Sequence, residues 1–372
     1  MKLTKLYIHN YKSFYDTTIE LDKMNIVVGE NNSGKSNLID VLEFIQLGKN
    51  ENFYNAITMK GGFDKVLNYN YDEKDIIFEL LFQHIDFLVK ARFTVNQEVS
   101  VVSVIMCAKF GDKIFPLHIN ASRHNRKLNI MKNKFYSYQE NILKLKLGDK
   151  LFLLQLNFPN MISFLSQTYA FNTESIRDSS HKKSISELKK DGSNLGKNLF
   201  EIKKNYPNTF EIISNSMIGI VNEIDAIDVQ ETFGSYLIGF REKDKEIGID
   251  MVSDGTINLL ATMTALNQEE DESLLLAFDE PERYLHLKAI NYLLESFRAS
   301  KKQILITTHS TEILKYASLD EIVFIYRDSD GDTQSIRANK IEGLKDMLKE
   351  LSYERDLTLD ELIADGIIGD FK

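Results

Sequence analysis

The octapeptide Gly29-Glu30-Asn31-Asn32-Ser33-Gly34-Lys35-Ser36 fits G-x-x-x-x-G-K-[ST], a spacing whose chemistry is phosphate binding. Its glycines let the backbone wrap an anion with N–H groups pointing inward, and a following helix adds partial positive charge. Lys35 has the reach for β- and γ-phosphates, and the Ser36 hydroxyl suits Mg²⁺. The candidate nucleotide-binding set is therefore Gly29, Asn31, Asn32, Ser33, Gly34, Lys35, Ser36 and Asn37. A second group stands in Leu274-Leu275-Leu276-Ala277-Phe278-Asp279-Glu280-Pro281, where an apolar run delivers two adjacent carboxylates. Neighbouring side chains on a strand leave in opposite directions, so the two acids cannot share a job. Asp279 suits the Mg²⁺ shell, and Glu280 suits an attacking water as base or orienter. His309 ends another apolar run, Leu305-Ile306-Thr307-Thr308-His309, and by the same end-of-strand logic can face a γ-phosphate or the water beside Glu280. Ser253-Asp254-Gly255-Thr256 opens a further helix; alone it reads as an ordinary N-cap, with a second anion site as the alternative.

These side chains need a scaffold, and the pattern around them supplies one. Met24–Val28 reads as a strand entering the phosphate loop, and Leu38, Val41, Leu42 and Ile45 repeat as one face of the helix leaving it. Two or three strands around Tyr11-Lys12-Ser13-Phe14 precede it. Short apolar runs at 75–82, 86–95, 99–109 and 113–118 form an antiparallel patch, with turns at Asn96-Gln97 and Gly111-Asp112. Residues 120–230 are richer in Lys, Asn and Ser with helical periodicity, broken at Asp191-Gly192-Ser193-Asn194. Strands at 232–240 and 246–251 then lead into an alternation: helix 256–268, strand 273–278, helix 284–299, strand 303–308, helix 310–317, strand 321–327. That alternation predicts an α/β fold with a parallel core sheet. The expected divisions are a phosphate-loop lobe I over 1–120, a mainly helical and partly basic insertion over 121–230, and a lobe II over 231–372 ending in a helix.

Composition narrows the classes. No apolar run approaches the ~18 residues of a membrane span, and MKLTKLYIHNYKSF lacks the apolar core of an export signal, so a cytoplasmic protein without membrane partners is expected. Cys107 is the only cysteine, which excludes an internal disulfide and a cysteine-rich metal site. Net charge is −10, yet residues 123–150 carry eight Lys/Arg against Glu140 and Asp149, with Phe135, Tyr136 and Tyr138 among them. That segment suits a DNA or RNA backbone or an acidic partner; the alternative is a solvated arm balancing an acidic body. Asp328-Ser-Asp330-Gly-Asp332 imitates a Ca²⁺ loop but has Thr333 and Asn339 where an EF-hand needs Gly and Glu, so it reads as a hairpin turn. Arg177, in a polar stretch after a strand-like run, reads as a surface residue or one approaching the nucleotide.

In order along the chain, NYKSF, GENNSGKSN, SDGT, LLLAFDEPE and ITTHS resemble the ABC-type ATPases of the SMC/RecF kind. The resemblance is nearest to stand-alone bacterial ATPases related to overcoming-lysogenization-defect (OLD) nucleases. It covers about 1–120 and 230–330, with only fragments such as Asp191-Gly192-Ser193-Asn194-Leu195 between. It implies a P-loop NTPase of the SMC-head type that binds ATP and Mg²⁺ and pairs head to tail as a homodimer or within a higher oligomer. In such a pair Ser253 and Gly255 would act in trans on nucleotide held at Lys35, with Glu280 as catalytic glutamate and His309 as switch histidine. SDGT replaces the SGGQ usual in transporter ATPases, which weighs against a transporter subunit. The family's Q-loop glutamine has Gln83 and Gln155 as alternatives, and Lys12 and Ser13 fall near the expected adenine or ribose. The chain ends about 45 residues after the strand at 321–327, too short for the Toprim nuclease domain of OLD proteins. The resemblance thus implies an ATPase acting as sensor or regulator in a bacterial antiphage system, with a separately encoded effector such as a nuclease or toxin. A RecF-like DNA repair ATPase is the alternative.

Overall fold

The computed structural model describes residues 1–50, 53–83, 87–96, 100–110, 113–122, 128–130, 136–139, 142–147, 150–155, 166–178, 187–221, 223–268, 274–344 and 346. Strands β1 (Lys2–His9), β2 (Thr17–Glu20) and β3 (Met24–Val28) lead into α1 (Lys35–Asn50), α2 (Phe53–Met59) and α3 (Phe63–Val66). Next come β4 (Ile76–Gln83), β5 (Phe87–Val95), β6 (Ser100–Phe110), β7 (Lys113–Ser122), β8 (Leu128–Ile130), β9 (Tyr136–Gln139), β10 (Ile142–Leu147), β11 (Lys150–Gln155) and β12 (Ser166–Tyr169). Helices α4 (Thr173–Arg177), α5 (Leu195–Asn205) and α6 (Pro207–Ile220) precede β13 (Ala226–Thr232), β14 (Ser235–Glu242) and β15 (Lys245–Gly248). The last part alternates α7 (Asp254–Leu266), β16 (Leu275–Asp279), α8 (Leu287–Ala299), β17 (Gln303–Thr307), α9 (Thr311–Leu314), β18 (Ile322–Arg327) and β19 (Thr333–Arg337).

The core sheet runs β12-β16-β17-β3-β18-β19, parallel except for the final hairpin. β3 and β17 are buried at every position, which is why they read as continuous apolar runs rather than alternating ones. Opposite faces of β3 nevertheless serve opposite layers. Val27 joins Leu38, Val41, Leu42 and Ile45 of α1 and Ile8, Phe78 and Leu80 of the antiparallel strands. Ile26 and Val28 join Ile257 and Leu260 of α7, Leu293 and Phe297 of α8, and Leu199 and Ile213 of α5 and α6. Helix α1 alone buries six apolar side chains (Leu38, Ile39, Val41, Leu42, Phe44, Ile45), an upper-bound stabilisation on the order of 10 kcal/mol. The phosphate loop is thus tied to a rigid strand and a firmly packed helix.

The antiparallel patch is a sheet ordered β2-β1-β4-β5-β6-β7-β8, in agreement with the four apolar runs of the sequence. Of its turns, Asn96 is described; Gln97 and the Gly111-Asp112 pair lie outside the described residues. The insertion differs from expectation: the segment expected to be mainly helical holds strands β8 to β11 between Leu128 and Gln155, and among the described residues its first helix starts at Thr173. Leu143-Lys144-Leu145-Lys146-Leu147 alternates with period two, and that period outweighs the helical propensity of Lys and Leu. The strand expected at 232–240 is present as β14 from Ser235, preceded by a turn rather than starting at Thr232. Phe233 and Gly234, with φ of 51° and 80°, turn the chain between β13 and β14. The segment expected as strand through Met251 leaves β15 at Gly248 for a 3-10 turn, Ile249–Met251. The helix expected at the C-terminus falls on 347–372, outside the described residues. Among the described residues no helix is long and apolar enough to cross a membrane.

Candidate functional site

The parallel register brings the chemistry-bearing segments to one edge. Thr307 pairs with both Val27 and Asp279, so the ends of β3, β16 and β17 emerge together. Ligands collect at this carboxyl edge of an α/β sheet. The phosphate loop leaves β3 there, and two of its positions demand glycine. A Cβ on Gly29 would stand 2.0 Å from the Ile325 carbonyl oxygen, and one on Gly34 2.4 Å from Thr333 Oγ1, where φ is also +117°. Lys35 is buried and its Nζ donates to the carbonyls of Gly29 (2.6 Å) and Glu30 (2.8 Å), so the ammonium lies inside the loop. Burial pushes its pKa down, while Glu280, Asp279 and Glu30 pull it up; the net direction is down. Ser33 Oγ is buried without a hydrogen-bond partner, packed so close to Gly29 that a Cβ there would stand 2.8 Å from it. Asn31, Asn32 and Ser36 are exposed.

A relay of side chains holds this loop from behind. Asn37 Nδ2 donates to Ser13 Oγ at 2.8 Å, and Thr333 Oγ1 lies 2.8 Å from both Ser13 Oγ and the Ser33 carbonyl. Thr333 has one proton and the carbonyl has none, so Thr333 gives its proton to Ser33 and takes one from Ser13. Ser13 is buried in this role, and Lys12 pairs with Asp40 of α1 at 2.5 Å, so both expected base-side residues have protein partners. Arg327 Nε adds a hydrogen bond to the Asn32 carbonyl at 3.0 Å. The 328–332 segment is the hairpin turn the sequence predicts, with Arg327 paired to Thr333.

Asp279 ends β16 with one carboxylate oxygen accepting from Thr307 Oγ1, which leaves the other for a ligand. Glu280 follows with φ of +48°, a left-handed conformation unusual for a glutamate, held by its N–H on the Thr307 carbonyl at 3.0 Å. Backbone strain of this kind gathers at functional sites. His309 Nε2 stands 3.6 Å from Glu280 Oε1, and both side chains keep about a third or more of their surface open. Thr307, Thr308 and the acid Glu282 stand inside the motifs quoted from the sequence but were given no role there. Glu282 is 7% exposed, accepts from Thr308 Oγ1 through Oε1, and leaves Oε2 buried without a partner. Burial raises its carboxyl to about 7, assisted by the charges of Glu280 and Asp279 and opposed by the Thr308 hydrogen bond.

Ser253 caps α7, its Oγ accepting from Thr256 N at 3.1 Å, while remaining exposed. Gly255 is buried, and a Cβ there would stand 2.5 Å from the Tyr284 carbonyl oxygen. Asn258, one turn on, donates from Nδ2 to the carbonyls of Pro281 (3.1 Å) and Arg283 (3.0 Å). The start of α7 is therefore bound to the turn that follows Glu280. Arg177 is not a free surface residue: its guanidinium donates to the carbonyls of Ile249 and Val252 and to Asp254, bracing the approach to Ser253. Of the two Q-loop alternatives, Gln83 pairs with Lys2 on the antiparallel sheet, whereas Gln155 pairs with Ile142 in the insertion.

The donor set fits Mg²⁺-nucleotide. An exposed hydroxyl at Ser36 and a carboxylate with one free oxygen at Asp279 are hard oxygen ligands, which Mg²⁺ takes together with phosphate oxygens and water. Among the described residues no group of three or more His, Cys, Asp and Glu could hold a metal ion by itself.

Comparison with known proteins bears on the fold and the family. An SMC head bound to the C-terminal winged-helix domain of ScpA superposes with a TM-score of 0.57 at 16% identity, covering 91% of this chain and 99% of that one. An SMC head with an extended coiled coil, bound to a ScpA C-terminal domain derived from Pyrococcus furiosus, gives 0.52 at 14% identity, covering 95% and 99%. The fold is thus that of an SMC head. In sequence, 158 residues are 28% identical to the DNA double-strand break repair Rad50 ATPase of Saccharolobus solfataricus, covering 41% of this chain and 18% of that protein. The chain spans less than a fifth of that relative. A family match runs from residue 24 to 315, and by it the chain belongs to the family described as AAA domain, putative AbiEii toxin, Type IV TA system.

Proposed function

We propose that this chain binds ATP and hydrolyses it to ADP and phosphate, in sites completed when two copies pack head to tail. The observation that carries the reading is the meeting of Lys35, Asp279, Glu280 and His309 at one sheet edge, with Glu280 in a left-handed backbone conformation 3.6 Å from the imidazole. The loop amides and Lys35 bind the phosphates. Glu280 orients the attacking water and takes its proton, and an imidazole N–H at His309 donates to the γ-phosphate oxygen or to that water. Ser36 and Asp279 would hold Mg²⁺, which when bound neutralises charge on the β- and γ-phosphate oxygens. Ser253 and Gly255 of one copy would cap the γ-phosphate held by the other, since the exposed Ser253 hydroxyl and the α7 N-terminus form a second anion-attracting end.

The output of that cycle, in this reading, is a conformational signal to a separately encoded effector in a bacterial antiphage system, with the chain as OLD-like sensor or regulator. The AbiEii and toxin–antitoxin wording of the family supports this direction. The Rad50 relative supports the alternative, a DNA repair ATPase that binds nucleic acid directly. Steep loss of DNA affinity with salt, abolished by reversing Arg126, Lys127, Lys132 and Lys134, would favour repair; undetectable binding would remove it. Those four residues lie outside the described residues.

The first test is enzymatic. Lys35→Ala should lose ATP binding, and Glu280→Gln should keep binding while turning over at least ~100-fold more slowly, the usual contribution of a base or water-orienting group. Near-normal turnover by Glu280→Gln would remove that residue from its role.

A further inference from the structure

Five hydrogen bonds tie the turn around Glu282 to the His309 segment on one side and to the start of α7 on the other. Glu282 Oε1 accepts the Thr308 hydroxyl, and Thr308 Oγ1 in turn accepts Ser310 N at 2.9 Å. Those two bonds bracket His309 on both sides. On the other side, the carbonyls of Pro281 and Arg283, which flank Glu282, are both held by Asn258 of α7. The Glu282 backbone carbonyl accepts Leu285 N at 2.9 Å, closing the turn. A carboxylate is a costly group to bury with one oxygen unpartnered; an apolar residue would fill the same space without that penalty.

We propose that Glu282 is a positioning residue that fixes His309 against Glu280 and transmits displacements of the Ser253 end of α7 to that pair. This rests on the roles given to Glu280 and His309 above. Thr308 is the joint: its hydroxyl is the single atom shared by the Glu282 and Ser310 hydrogen bonds, while its N–H is anchored on the Val27 carbonyl of β3 at 3.1 Å. Movement of α7 draws on the carbonyls of Pro281 and Arg283, hence on the carboxyl between them, and so on the backbone carrying the imidazole. A residue that only filled space would leave His309 indifferent to its polarity.

The test uses full-length Glu282→Ala, Glu282→Gln, Thr308→Val, His309→Ala and the double variant Glu282→Ala/His309→Ala. Steady-state turnover, binding of a fluorescent ATP analogue and amide hydrogen exchange are measured on each. Glu282→Ala and Thr308→Val should lower kcat about tenfold, within the range of a positioned acid–base group, with analogue affinity and KM nearly unchanged. Glu282→Gln, which still accepts from Thr308, should recover most of the rate. The double variant should be no slower than His309→Ala. Additive losses, or a Glu282→Gln as impaired as the alanine, would overturn the proposal. Should the wild-type chain bind the analogue but hydrolyse nothing, the enzymatic reading fails and hydrogen exchange decides the coupling by itself. Faster exchange at both Ser310 and the first turn of α7 in Glu282→Ala, absent in Glu282→Gln, supports it; unchanged exchange at either place overturns it.

Discussion

Replacing Gly255 with alanine sets a close backbone approach against helix propensity, and the two effects have opposite signs. Alanine favours a helix interior by about 1 kcal/mol over glycine, and less at the second helical position, where Gly255 stands. Against that gain, the new Cβ would lie 2.5 Å from the Tyr284 carbonyl oxygen, 3.2 Å from its carbon and 3.6 Å from Leu285 Cδ2. The obstacle is backbone, and Asn258 holds the carbonyls of Pro281 and Arg283 before it, so the turn cannot yield alone. Overpacking of this kind costs about 1–3 kcal/mol, so the net effect is a loss of about 1–2 kcal/mol. For a chain of this size that lowers the melting temperature by roughly 1–3 °C. Since the displaced turn begins at Glu280, turnover should fall several-fold more than analogue binding does. Thermal melting and steady-state kinetics on Gly255→Ala read both numbers. A variant that melts higher than wild type with unchanged turnover would refute the reasoning, because propensity would then have outweighed a contact that is not there.

Two further perturbations test other parts of the site. Thr333→Val removes the hydroxyl linking Ser13 to the Ser33 carbonyl and should cost about 1–3 kcal/mol by urea unfolding, with weaker nucleotide binding; unchanged affinity would show that the relay does not shape the loop. Glu282 predicts a pH dependence of known sign. Its folded carboxyl titrates at about 7, above the ordinary ~4.3 of an unfolded glutamate. Between those values the folded chain keeps a proton that the unfolded chain has released. This contribution is therefore full below ~4.3 and lost as pH rises through about 7, on the order of 3 kcal/mol in all. The stability of wild type relative to Glu282→Gln should fall between about pH 4 and 7 and level off above, and a pH-independent difference would contradict the burial argument.

What was legible in the sequence follows from how local each signal is. The phosphate loop, the acidic end of β16 and the histidine after β17 are each written in a few adjacent residues, and the parallel sheet makes their strand ends meet. The antiparallel runs were legible for the same reason. The insertion was misjudged where lysine-rich strands resembled helix by composition, although the alternation over 143–147 was there to read. Arg177, Asn258, Thr333 and Glu282 could not be placed from sequence because their partners lie far along the chain: Arg177 on Ile249 and Val252, Thr333 on Ser13 and Ser33. Glu282 had one weak signal, an acid in a turn between a buried strand and an amphipathic helix, where a charge turned inward is unusual.

The central claim is that nucleotide is hydrolysed in a site shared by two copies, and complementation measures it most directly. A Ser253→Arg chain keeps its own phosphate loop but cannot cap a partner's; a Lys35→Ala chain keeps its cap but cannot hold nucleotide. Each alone should be inactive, and the mixture should recover ATP turnover, because one pairing joins an intact loop to an intact cap. A mixture no more active than either variant alone would contradict the head-to-tail composite site.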